Sequence, residues 1–578
     1  MASIAVKIDG NEISQALLPR VEVQQKLNDH WWCYVFCRGP IEQRIQVENY
    51  LGKELQVTMQ DDDGETSLFD GFVLDVKLKS EVYGTWAAKI VGVTRTYMMD
   101  LTHRKAYYQE KTLDAIANDL AGKAGLQATV KGPSKKPLNY VQWGETDFSF
   151  LKRLADDYGC WMRPTPQGLE ISNQFGDAVD VTWRQEYSLI EFTTQGKLSQ
   201  PSFNGSHYHH HQMKSQNFDQ VKDEPSFLGS VGPLVGAVKD QSAKLPPGFV
   251  YQRSRVVTLD DYQELLKKES VRSIGSSITA SGKCADPKLQ PGKKVNVGGV
   301  DWGDGLYGIT AVKHRWTPKK YTNTFNCTPW ENYVNPKPPQ MRLWQGLVSA
   351  RVVEHNDPKK MGRIQVQYFW QEDGQAYWAR MMTPHAGSTR GFMFMPEKGD
   401  EVVVGFEDGD PERPIILGCL WNGVDQAPRF DFAKDDIAPN DVKRIVTKSG
   451  NRLQMVDTPG KESITLSTPN SVKVMLVEAD ASPTKRETLV LQVDRGDIVL
   501  NAPQGRIHLH SQFYSREIGG MPAAPPPPLP PGPKGLGTSP VKVGGALSGT
   551  QGVPPLGPNN PIGPGGPVGP GPMEGQDG

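Results

Sequence analysis

Three groups of residues in this chain have types and spacings that suit chemistry. The stretch "FEDGDPERPIILGCLWN" (406–422) sets Glu407, Asp408, Asp410 and Glu412 within six positions, directly before an apolar run. Clustered carboxylates suit calcium, and a calcium loop takes ligands at positions 1, 3 and 5, glycine at 6 and a bidentate glutamate at 12. Counted from Asp408, the acids Asp410 and Glu412 fit, but Arg413 stands at position 6 and Cys419 at position 12. The loop therefore fails at its two defining positions. Asp408-Gly409, between "EVVVGF" and "PIILGCLW", reads instead as a hairpin turn, with Pro411 and Pro414 suited to a turn and a strand start.

The second group is "GSHYHHHQ", where His207, His209 and His211 alternate as on one face of a strand, and the third is His508 with His510 in "GRIHLHS". Imidazoles so spaced could hold a transition metal, and three copies on a threefold axis could gather His508 or His510 into a cage. The first run has no Asp, Glu or Cys inside it and reads as a solvated loop. The expectation is no metal and no cofactor, with these five histidines as the candidate positions for one. Cys33, Cys37, Cys160, Cys284, Cys327 and Cys419 show no zinc spacing and read as reduced core thiols. No GxSxG, HExxH or Walker loop occurs, so no catalytic residue is assigned and the expectation is a protein that is not an enzyme.

These residues need elements to position them, and the chain of 578 residues is long enough for about four domains of ~150. A net charge of -1 excludes a global pull toward nucleic acid or anionic membrane. The N-terminus "MASIAVKIDGNEIS" has no signal-peptide pattern, and no stretch approaches the ~18 apolar residues of a span. A protein made in the cytosol is expected, leaving the cell, if at all, by a route that reads no cleavable signal.

Residues 1–100 alternate as strands of a small barrel, in "LQVTM", "GFVLDVKLKS" and "TWAAKIVGVTRTY". Residues 101–185 read as α/β: Thr112 caps "TLDAIANDLAGKAGL", and a second helix in "ETDFSFLKRLADDYG" stops at Gly159. Residues 186–340 hold the histidine run, the helix "TLDDYQELLKKESVRSIGSS" and further strands; 341–428 form a compact all-β unit; 429–515 form a different β structure. The segment 516–578 is low in complexity, holds 17 of the 46 prolines and reads as an extended, disordered tail.

From Ile464 the sequence shows short bursts, "SITLS", "SVKVMLV", "ETLVLQV", "GDIVLNAP" and "GRIHLHS". In the last two, Ile498 and Leu500 are answered nine positions later by Ile507 and Leu509. Each burst offers two or three inward apolar side chains, worth ~4–6 kcal/mol, which is less than the cost of ordering it. Copies of the chain closing into a triangular prism repair this deficit and remove the exposed edges. A stacked single-chain solenoid, or a meander on a sandwich, is the alternative, and mass in solution separates the two.

The stretch "NDPKKMGRIQVQYFW", followed by "YWARMMTPHAGSTRGFMFMPEKGDEVVVGFEDGDPERPIILGCLWNG", resembles the OB-fold signature of the VgrG/phage tail-spike hub proteins of contractile injection systems. "ETDFSFLKRLADDYG", "LDDYQELLKKESVRSIGSS", "PKLQPGKKVNVGG" and "LYGITAVKHRW" match the same family upstream, in its order, so that the resemblance covers about residues 1–512. It implies a mainly β, multidomain chain: hub β-barrels with α/β insertions, an OB-fold, and an intertwined trimeric β-helix or prism. It also implies a homotrimer that docks a hexameric inner tube and baseplate proteins, carries a PAAR-like tip protein or effector cargo, and meets a target membrane only during puncture. Assembly is then cytoplasmic, with secretion on firing.

Two alternatives follow from the same residues. Some phage spikes insert a lysozyme between OB unit and prism, but only about twenty residues separate Val424 from Ile445 here, too few for a lytic domain. An OB-based nucleic-acid-binding module would need a basic groove with stacking platforms, for which Lys359, Lys360 and Arg363 with Tyr368, Phe369 and Trp370 are the candidates. The net charge and the attached needle argue against it.

Overall fold

A computed structural model describes residues 3–507 except 62–63, 82–83, 133–137, 183–188, 210–213, 230–231, 251–258, 338–343, 372–374, 429–438, 471 and 479–486. The chain divides into two compact units, 1–425 and 426–578.

In the first unit, period-2 alternation sets the sheet. Thr85–Val93 buries Trp86, Ala88 and Ile90 on one face and pairs with the eighteen-residue strand Gly64–Glu81 and with Trp32–Pro40. Strand Arg20–Lys26 pairs with Gly305–Thr317, Val21 opposite Trp316, so the strand-rich segments at both ends of the hub share one thirteen-stranded sheet. Each keeps its own core, one around Val35, Leu55 and Phe69, the other around Val295, Ile309 and Phe325.

Between them lies the α/β module. Helices α1 (Leu113–Lys123) and α2 (Asp147–Asp157) pack Ile116, Leu120, Leu151 and Leu154 into a common core. Thr112 caps α1, its Oγ1 accepting the Ala115 N–H at 3.3 Å, and Thr146 caps α2 through the Ser149 N–H at 3.2 Å. Gly159, with φ of +65°, follows α2 in the left-handed conformation that ends helices. A small three-stranded sheet that includes Phe203–His209 packs on α4 (Leu259–Gly275), and α3 (Pro233–Ser242) precedes it.

Residues 348–419 close into a five-stranded barrel of strands Val348–Glu354, Ile364–Tyr368, Tyr377–Met381, Glu401–Phe406 and Pro414–Cys419. The third and fifth strands run parallel and the first pairs with the fourth. This is OB-fold connectivity, with no free edge.

The second unit contains a five-stranded antiparallel meander: Val442–Val446, Arg452–Val456, Ser463–Ser467, Val472–Val477 and Thr488–Val493. The sequence places further strands on "GDIVL" and "GRIHL"; in the single chain, residues 494–507 form none. A strand needs a neighbour, and Ile498, Leu500 and Ile507 stay exposed.

Candidate functional site

The acid stretch folds as a turn, yet it does more than connect two strands. A 3-10 turn, Glu407–Gly409, joins the fourth and fifth barrel strands, and the Gly409 carbonyl accepts the Trp344 N–H at 2.7 Å. Glu407 pairs with Arg380 at 2.9 Å and Arg413 at 3.6 Å. Asp410 turns inward and is 2% exposed; its Oδ1 accepts the Glu412 N–H at 2.9 Å. Glu412 reaches the α/β module, where its Oε1 accepts the Val141 N–H at 3.3 Å. Arg153 of α2 donates to the Val141 carbonyl at 2.8 Å and binds Glu145 through both Nε and Nη2. Burial raises both turn carboxyls, opposed by Arg153 and the backbone N–H groups; repulsion from Glu412 raises Asp410 further.

Beside this turn, aromatic side chains join the two modules. Val141 and Trp143 belong to the same core as Ala350, Val366, Tyr368, Tyr377, Val402 and Ile416 of the barrel. The Trp143 ring meets Trp344, Tyr368, Trp370 and Phe406 edge-on at 5.2–5.8 Å, and Tyr107 lies 4.1 Å from Tyr377. The Lys105 ammonium stands over Trp143, Trp344 and Trp370 at 5.0, 5.3 and 5.5 Å. The OB core is thus completed by a neighbouring module. Sequence reasoning missed this joint, although an alternating "YVQW" strand carrying a large indole was a signal for it.

The same packing removes the nucleic-acid platform. Tyr368 is 1% exposed and stacked on Trp370, which is partly buried against Trp143, leaving Phe369, at 61%, as the one exposed ring of the three. Arg363 binds Asp357 at 2.7 Å, and Asp357 also accepts the N–H groups of Lys359, Met361 and Arg363, so these residues order a loop.

His207 and His209 lie on strand Phe203–His209, while His211, His508, His510 and the tail lie outside the described residues. Among the described residues, no group of three or more His, Cys, Asp or Glu side chains could hold a metal. Five cysteines are buried and free; Cys419 is exposed, correcting its reading as a core thiol, because its strand runs out of the barrel beside exposed Leu420 and Trp421. His30, between Thr96 Oγ1 at 2.8 Å and Asp100 Oδ2 at 2.9 Å, has the order of a catalytic relay, but Thr96 is 1% exposed and closed off from solvent.

In the C-terminal meander, register gathers the apolar side chains. Leu453, Leu466, Val474 and Leu491 stand opposite one another, as do Met455, Ile464, Leu476 and Leu489. Directly paired residues share a face, so one side of the sheet is a continuous apolar surface. Its members remain in solvent, Leu466 at 52% and Leu489 at 62%.

Two family models match this architecture: the phage tail baseplate hub over residues 35–319, and the Type VI secretion system/phage-baseplate injector OB domain over residues 348–421. Fold and joint together define a baseplate hub carrying an injector OB barrel. The Type VI secretion system spike protein VgrG5 of Pseudomonas aeruginosa is 30% identical over 382 residues, covering 58% of this chain and 47% of that protein. VgrG3 of Vibrio cholerae serotype O1 is 22% identical over 551 residues, covering 85% of this chain and 51% of that protein. A solved Francisella PdpA-VgrG complex shares the fold at a TM-score of 0.56 and 10% identity, over 85% of this chain and 88% of its counterpart. The chain belongs to the VgrG/phage tail-spike family of contractile injection systems. It spans about half the length of the two curated relatives named here.

Proposed function

We propose that the chain is the structural, non-enzymatic spike of a contractile injection machine, working as a homotrimer whose C-terminal sheets close into a needle. The observation that carries this is the uncovered apolar face of the meander. Nine of its side chains are more than a third exposed, so covering them gains about 1 kcal/mol each, on the order of 10 kcal/mol per chain. Immobilising a partner costs ~4–15 kcal/mol, so apolar cover alone roughly balances it. Pairing of the free edges of the sheet tips the balance, which favours a closed prism over two sheets stacked face to face.

In this reading the hub docks a hexameric inner tube among baseplate proteins, the OB barrel forms a collar, and contraction drives the needle into the target membrane. The trimer assembles in the cytoplasm and is carried out by firing. Residues after Gly519 tether a PAAR-like tip protein or an effector at the needle end. Light scattering on the purified full chain tests the central step: the expected mass is three times 63.9 kDa, and a stable monomer at micromolar concentration overturns it.

A further inference from the structure

The acid turn carries two carboxyls for which a mechanical role has no use. Asp410 Oδ2 has no hydrogen-bond partner among the described residues, although the side chain is almost fully buried. An ionised oxygen buried without a donor is costly, and a retained proton relieves that cost by neutralising the group. Glu412, two positions on, also points into the joint and acts electrostatically on Asp410.

The nearby cations are each engaged elsewhere and leave Asp410 Oδ2 without a donor among the described residues. Arg153, from α2, is matched by Glu145 on the adjoining strand. Arg363, on the second barrel strand, is matched by Asp357. Arg380 and Arg413 both pair with Glu407, so neither guanidinium is given over to Asp410 Oδ2. Lys105 turns its ammonium to the indoles, and Tyr107 and Tyr140 are phenols kept neutral by burial and by the nearby Glu412.

We propose that Asp410 and Glu412 hold one proton between them at neutral pH, that this proton keeps the turn seated on Val141, and that its loss loosens the OB barrel from the hub. The joint is then a proton-dependent latch. It is tightest in acid, weakens as pH rises through neutrality and is loosest once the seated turn has lost its proton, and it operates whether or not the chain serves as a spike. Burial raises both carboxyls, and Glu412 raises Asp410 further, so the seating they support is fully present below the ordinary carboxylate range and is lost progressively as pH rises to the raised range of the seated pair.

Hydrogen–deuterium exchange of the full chain between pH 6 and pH 9, corrected for intrinsic exchange, tests the latch. In segments covering 138–146 and 407–413, the opening equilibrium is expected to rise about tenfold per pH unit while the seated turn keeps a proton that the open turn has lost, and to level off once the seated turn is deprotonated. Strand Ile364–Tyr368 inside the barrel should keep its protection. Asp410→Asn should flatten the pH response, and Glu412→Gln serves as the second variant. Infrared spectroscopy of the native chain should show a protonated-carboxyl band at pH 7 that disappears by pH 9, which keeps the proposal testable if neither variant folds. Flat exchange in the native chain, an undiminished slope in Asp410→Asn, or no such band would each overturn the latch.

Discussion

The OB barrel and the C-terminal meander are built from the same alternation and end in opposite conditions. In "EVVVGF", Val402 and Val404 are completely buried, whereas in "SITLS", Ile464 and Leu466 lie about half in solvent. The barrel turns its strands back until first meets fourth, so one chain supplies both edges and the cover for its own interior. The meander adds each strand beside the last and, among the described residues, stops with one face bare and no closure. Alternation therefore identifies which side chains must be hidden, while the connections decide whether one chain can hide them.

The largest expected effect tests the bare face. Leu466→Lys together with Leu476→Lys sets two charges on neighbouring strands where copies of the sheet must meet, and each buried, unpaired ammonium costs several kcal/mol. Association should be lost completely, with light scattering reporting a monomer whose hub unfolds at an unchanged temperature. A trimer that survives both substitutions would place the subunit contacts outside this face.

Trp143→Ala tests the opposite property, the self-sufficiency of the first unit. Deleting an indole that is packed against four rings should cost about 3–5 kcal/mol, since the cavity can collapse only partly. Chemical denaturation should show this loss while the subunit count stays the same. A change in mass instead would mean that the hub cores also depend on other copies.

Asp357→Asn comes next, at about 2 kcal/mol for a charge-assisted pair and its loop contacts. The Arg363 guanidinium, helped by three backbone N–H groups, holds this carboxyl well below the usual carboxylate range. The stabilisation is therefore present above the unfolded pKa and declines as pH falls through the depressed folded one. Acid titration of stability should be shallower in the variant than in the native chain.

What the sequence made legible was mostly local. Thr112 and Gly159 bound helices by chemistry acting within three or four residues, and the OB strands follow from alternation and turn residues, so each could be read in place. The joint could not, because Val141 and Glu412 are separated by 271 positions and their contact exists only after two modules have folded. The turn at Asp408-Gly409 was readable, whereas the reach of Glu412 to the Val141 N–H depends on the folded α/β module. The expected strands on 496–507 fail for a related reason: their neighbours, in the prism reading, belong to other chains.

The smallest expected effect is the most discriminating one for the contrast between the two regions. Thr488 and Leu489 are adjacent on the last strand of the meander and both are exposed, but register puts Leu489 in the apolar row with Leu476 and sets Thr488 opposite Val477, on the other face. Exposure in the single chain does not distinguish them; the pleat does. If subunits meet through the apolar row, Thr488→Lys places its charge in solvent and should alter stability by no more than about 0.5 kcal/mol, with the trimer intact. Leu489→Lys, one position further along, should weaken assembly measurably, as sedimentation at falling concentration would show. Equal effects from the two lysines would mean that the subunits do not meet through one pleated face, and the contrast with the self-closed barrel would then need another physical basis.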